Sequence, residues 1–285
     1  MKLVKNRRLL DATLLAGAII LASVVLWAHA QERHDLPPFD YKKAEQLSPE
    51  KRVEYERSLF NELDYWNTGT PRYMGKDGTN RREADWMSMA QNGYELAYIA
   101  LQVLQPSTGI RYAARKPLAR LTELADRGDA SAMCMYTLLS NVGSERERDE
   151  YREQGRAYWR RGAEIGHPAC LSRVGFFLMN GIQGFPKDVP AGFDASVKAE
   201  RAGYDGAGSI AVYLARQEIV SAMEWMRYYC WQIHASQYST YANPKSVLRE
   251  LRNQTEMPES RILADRLEAW HPTLDECIAL KLGDR

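Results

Sequence analysis

A short pattern, Gly-x-x-x-Ala, recurs through the middle of this chain at nearly constant spacing and opens an apolar run each time. It falls at Gly93/Ala97, at Gly128/Ala132, at Gly166 with Cys170 in the alanine place, and at Gly203/Ala207. The glycines therefore stand 35, 38 and 37 residues apart. A period of roughly 20–50 residues marks stacked repeats, in which each unit leaves an apolar face that only the next one covers. The glycine reads as the left-handed stop after a helix. The alanine reads as the small side chain that lets two helices approach closely, and close packing is the expected reason for both residues.

Around these positions the spacing predicts helices in pairs. They are expected at residues 94–104, 117–127, 130–139, 146–165, 168–179 and 195–202, with stops at Gly93, Gly128, Gly166 and Gly203. Upstream, Leu36-Pro37-Pro38-Phe39 makes residues 31–45 an extended tether, because successive prolines exclude helix. Ser48-Pro49-Glu50 then starts a helix, with Ser as N-cap and Pro in the first helical position. Gly75-Lys76-Asp77-Gly78 lacks the spacing and the preceding strand of a phosphate loop and reads as a turn. No segment shows convincing strand alternation, so the expected class is all-α. Residues 226–285 are expected to form a helical cap, with short helices within 248–267 and at 274–282.

The third unit carries the pattern most fully. Gly166 and Cys170 are followed by Val174-Gly175, Gly181 and Gly184-Phe185-Pro186-Lys187-Asp188, and preceded by Tyr158, Gly162 and Ala163. This resembles the Sel1-like repeat, a helix-turn-helix relative of the tetratricopeptide repeat. The second unit departs from it by lacking the Leu-Gly pair, and the fourth has Ala211-Val212 there. The resemblance covers residues 83–225 and implies a right-handed α/α solenoid, flanked by an N-terminal helical segment (31–82) and the C-terminal cap. Gly93, Ala97, Gly128, Ala132, Gly166, Cys170, Gly175, Gly203 and Ala207 would be its packing positions.

The N-terminus reads as an export signal. Lys2, Lys5, Arg7 and Arg8 precede an uncharged run from residue 12 to 27, and Ala28-His29-Ala30 fits a signal-peptidase site. A cleaved signal over residues 1–30 and a retained anchor over residues 9–28 both remain open; either places the rest of the chain outside the cytoplasm, in the periplasm. Disulfides can form there. Cys134, Cys170, Cys230 and Cys277 allow three connectivities. At most one bridge is expected, Cys230–Cys277, with Cys170 packed as a small buried hydrophobe. Without Cys-x-x-Cys spacing, neither redox nor zinc chemistry is expected, and no cofactor.

Thirty-eight basic against 37 acidic side chains leave no field that would draw nucleic acid. The histidines, 29, 34, 167, 234 and 271, form no metal-binding helix pair, and no Gly-x-Ser-x-Gly elbow occurs. His167 is expected to act as a cap. Catalysis is therefore not expected, and recognition is. Tyr94, Tyr98, Met133, Tyr136 and Phe177 are candidates for a concave partner-binding groove. Trp225, Arg227, Tyr228 and Trp231 form an alternative patch with the composition of a binding hot spot, although packing inside the cap accounts for them equally well. By resemblance the chain is similar to periplasmic immunity proteins that accompany type VI secretion lipase or phospholipase effectors, which implies a protein partner, the cognate enzyme, blocked sterically. An envelope scaffold and a helical hydrolase are the other readings.

Overall fold

The computed structural model describes residues 36–67, 81–105, 110–111, 115–139, 145–238 and 242–282. The expected export segment and the Gly75–Gly78 turn lie outside these residues. Among the described residues there are 14 helices. Those before the first repeat glycine are α1 (Tyr41–Gln46), α2 (Pro49–Asn67) and α3 (Arg81–Gln91). Through the repeats run α4 (Glu95–Val103), α5 (Arg115–Asp126), α6 (Ala130–Leu139), α7 (Glu145–Glu164), α8 (Pro168–Asn180), α9 (Val189–Arg201) and α10 (Gly206–Ala215). The C-terminal part holds α11 (Ala222–Ala235), α12 (Pro244–Arg252), α13 (Ser260–Glu268) and α14 (Leu274–Ala279). No strand was expected, but the end of α4 passes into a two-residue antiparallel pairing, β1 (Leu104–Gln105) with β2 (Ile110–Arg111). Among the described residues no helix is long and apolar enough to cross a membrane.

The four repeat turns share one hydrogen-bonding pattern. At each, the glycine N–H reaches back to the carbonyl three residues earlier, and the next residue's N–H reaches five back. The pairs are Gly93 to Ala90 with Tyr94 to Met89, Gly128 to Ala125 with Asp129 to Leu124, Gly166 to Ala163 with His167 to Gly162, and Gly203 to Glu200 with Tyr204 to Ala199. This is the Schellman stop, and all four glycines have positive φ. A Cβ at Gly128 or Gly166 would meet nothing, so conformation alone selects glycine there, a correction to the packing argument. Close approach governs Gly175 instead, where a Cβ would strike Ser196 and the Gly192 carbonyl of α9.

Ala97, Ala132, Cys170 and Ala207 are fully buried. Each helix from α3 to α12 packs on the next in the chain, and α4 meets α6, α6 meets α8 and α8 meets α10. One apolar cluster runs from Leu59 of α2 to Tyr204, and two more fill the C-terminal part around Trp231 and around Trp225. Helix α11 runs unbroken through residues 225 and 226, where the sequence divided repeats from cap.

Three local expectations are corrected. Residues 41–46 are helical, because the Asp40 carboxylate accepts from the Lys42 N–H and starts a turn beyond the prolines. Helix α9 begins six residues early, at Val189, because Asp188 caps it and Pro190 suits its first turn. The expected single bridge becomes two: Cys230–Cys277 ties α14 to α11, and Cys134–Cys170 ties α6 to α8. Cys170 is thus a cross-link between neighbouring repeats, where the sequence suggested simple apolar packing.

Candidate functional site

Helix α2 lies across the repeat turns and brings one carboxylate to three of them. Leu59, Phe60 and Leu63 bury its apolar side, and Glu56, four residues before Phe60, enters the same interface. Glu56 accepts from Ser131 Oγ at 2.5 Å and from Tyr204 OH at 2.6 Å, and lies 3.0 Å from His167 Nε2. Those partners follow the glycines of three successive units. Burial alone would raise the Glu56 carboxyl, but the hydrogen bonds from His167, Ser131 and Tyr204 outweigh it and hold it below its ordinary 4.5. Burial, then the nearby Glu56 charge, raises the Tyr204 hydroxyl.

Further contacts complete the seat. Asn61 donates to the Gly203 carbonyl at 3.1 Å and accepts from the Asp205 N–H at 3.2 Å. Tyr55 lies against Tyr94, with ring centroids 6.0 Å apart, and Lys43 Nζ donates to the Gln91 carbonyl. Residues 36–67 thereby touch the turns at Gly93, Gly128, Gly166 and Gly203.

Most of the candidate partner-binding residues are core, which corrects their assignment. Tyr94, Met133, Tyr136, Phe177, Trp225 and Trp231 are all buried. Tyr55 of α2 covers Tyr94. The Tyr136 hydroxyl donates to Gln154, Phe177 stacks on Phe185, and Trp231 meets Phe193 edge-on. Large aromatics at the first helix of each pair fill the space between units, so their burial outweighs their hot-spot composition. Tyr98, Arg227 and Tyr228 are half-buried. Phe39 lies on Tyr98, and Arg227 donates to the Leu280 carbonyl.

Ser131, His167 and Glu56 look at first like a nucleophilic trio. A working relay needs the nucleophile and the orienting carboxylate on opposite imidazole nitrogens. Here both lie at Nε2, with Ser131 Oγ at 3.2 Å, and the serine hydroxyl donates to Glu56 itself. The other nitrogen, Nδ1, faces Cys134 Sγ at 3.1 Å. His167 occupies the N-cap position of α8 without a side-chain capping bond, so the expected cap is replaced by this network. The ligand atoms of Cys134, His167 and Cys170 lie within 4.8 Å of one another.

A second buried carboxylate, Glu200 of α9, accepts from the Ala207 N–H at 2.8 Å at the start of α10. Burial raises it to about 7, opposed by the hydrogen bonds from Ala207, Gly206 and Tyr238. Neither carboxylate was singled out by the sequence, since both sit among ordinary charged helix faces and only the tertiary crossing reveals them. No family model, curated protein or solved structure matches this chain.

Proposed function

We propose that the chain is a right-handed α/α solenoid of Sel1-like hairpins that binds another protein, and that it serves as an immunity protein in the periplasm, holding a secreted lipase- or phospholipase-type effector by steric occlusion. The observation that carries the binding half is the fourfold recurrence of the same helix stop, with the helix after each stop nested on the next. Such an array is a rigid surface whose stability comes from its own stacking. The immunity role rests on the family resemblance of the third unit and on the export signal read from residues 1–30.

The partner surface differs from the groove first expected, because α2 fills the side of the turns. Large apolar side chains remain exposed at Val220, Met223 and Ile262. Ile262 lines a cleft of about 390 Å³ with Met257, Pro258 and Leu263, the kind of surface that a partner covers. The test is a pull-down with the chain after residue 30 against any lipase or phospholipase found to be encoded beside it. A one-to-one complex of about nanomolar affinity that blocks the enzyme supports the proposal, with Ile262→Glu weakening it at least about tenfold. Several weakly held envelope proteins and no inhibited enzyme would favour a scaffold instead.

A further inference from the structure

The corner where α6 meets α8 gathers the donor set of a metal site. Cys134 comes from the middle of α6, Cys170 from the first turn of α8, and His167 from the residue just before α8. His167 is held from behind by Glu56, whose ionised carboxylate accepts at Nε2. In the neutral ring the hydrogen then sits on Nε2, and the Nδ1 lone pair points at Cys134 Sγ. A bridged sulfur has no hydrogen to give, so that lone pair has no donor while the disulfide is closed. A carboxylate behind a histidine, leaving the front nitrogen free, is how metal sites fix imidazole orientation.

We propose that opening the Cys134–Cys170 bridge with a dithiol turns this corner into a zinc site, with Cys134 Sγ, Cys170 Sγ and His167 Nδ1 as ligands and Glu56 as a positioning residue. The dithiol is oxidised to its own disulfide, and its two hydrogens and two electrons leave the bridge sulfurs as thiols. Zinc then displaces the two thiol protons, giving two thiolates and a neutral imidazole around a dication. The net charge of that assembly is zero, so burying it costs far less than burying two free thiolates. Thiolate and imidazole are the ligands that zinc takes in tetrahedral sites, at about 2.3 and 2.0–2.1 Å. The sulfurs move apart to roughly 3.8 Å in that geometry, and Gly162 faces Cys170 with no side chain of its own. A cavity of about 10 Å³ beside Cys134, lined by Phe60, Asn61, Ala169 and Tyr204 among others, has the volume of about one water, the fourth ligand the proposed site calls for. Among the described residues, Cys230 and Cys277 gather no such third ligand.

The test uses the full chain, reduced with excess dithiol, desalted under argon and titrated with cobalt(II) as the spectroscopic stand-in for zinc. One cobalt per chain is expected, with a sulfur-to-cobalt charge-transfer band and tetrahedral visible bands that zinc bleaches. The oxidised chain should give neither. Cys230→Ser/Cys277→Ser should keep the signal, and His167→Asn should lose it. Glu56→Gln should weaken affinity about tenfold at unchanged helicity, with partial rescue by Glu56→Asp. Absence of the charge-transfer band, its survival in His167→Asn, or its loss in Cys230→Ser/Cys277→Ser relative to the reduced wild type would each overturn the proposal.

Discussion

The middle of the molecule and its C-terminal part hold their helices together by different means. In the middle, α2 reaches across several units and fixes them through buried polar groups, with Glu56 at the centre and a disulfide beside it. In the C-terminal part the shorter α11 is the helix that packs on the others, α12, α13 and α14. There α11 to α14 rely on local caps, on two apolar clusters, and on one covalent tie from Cys230 to Cys277. The C-terminal part has fewer such cross-contacts, chiefly Arg227 to the Leu280 carbonyl and Arg201 to Asp275, and so depends more on its bridge.

The largest expected effect follows from that difference. Cys230→Ser/Cys277→Ser opens a loop of 47 residues and should cost about 4 kcal/mol, seen as a lower midpoint in urea and early proteolysis of the last helix. Cys134→Ser/Cys170→Ser spans a similar 36 residues but should cost less, about 2 kcal/mol, if the contacts of α2 with Ser131 and His167 persist in compact unfolded forms. Equal losses from the two variants would remove the distinction between the regions.

Glu56→Ala should cost about 3 kcal/mol, since it leaves buried Tyr204 and the part-buried Ser131 and His167 without their shared acceptor. The lowered carboxyl gives the sign of its pH dependence. Its stabilisation is complete above the ordinary value of 4.5 and is lost as pH falls through the lower folded value. The wild-type acid limb should therefore be steeper than that of the variant in thermal melts taken from pH 6 downward.

Glu200 has the opposite sign. Between its ordinary 4.5 and about 7 the folded chain keeps a proton that the unfolded chain has released, so its contribution to stability falls as pH rises through that window. Glu200→Gln should then be more stable than wild type at pH 8 by at most ~3 kcal/mol, at about 1.4 kcal/mol per pKa unit, and the gain should vanish near pH 4. The smallest contrast is between glycines. Gly175→Ala should cost about 2 kcal/mol through backbone crowding, and Gly166→Ala about 1 kcal/mol through its left-handed conformation alone.

Helix pairing and its stops were legible because each rests on local rules. Glycine at a Schellman stop, Ser48 before Pro49, and apolar spacing need no knowledge of the rest of the chain. Their boundaries failed where a single short side chain decided them, as Asp40 and Asp188 did. The Glu56 cluster was not legible, because its members lie as far as 148 residues apart and each alone looks like a surface residue. The aromatic candidates misled for the converse reason. Tyr136 and Trp231 have the chemistry of an interface, and the interface they belong to is the internal one between stacked helices.

Asn61 meets Gly203, 142 positions further along the chain, and this has a consequence for the order of events in folding. A stacked array normally needs only near neighbours, so its parts can settle in the sequence in which they are made. Here an early helix waits for a late turn, which lengthens the average loop to be closed and slows the final step. The delay comes with a benefit: the first four turns acquire their finished arrangement together, and a chain cut short before residue 203 is left with an unfinished seam that marks it as incomplete.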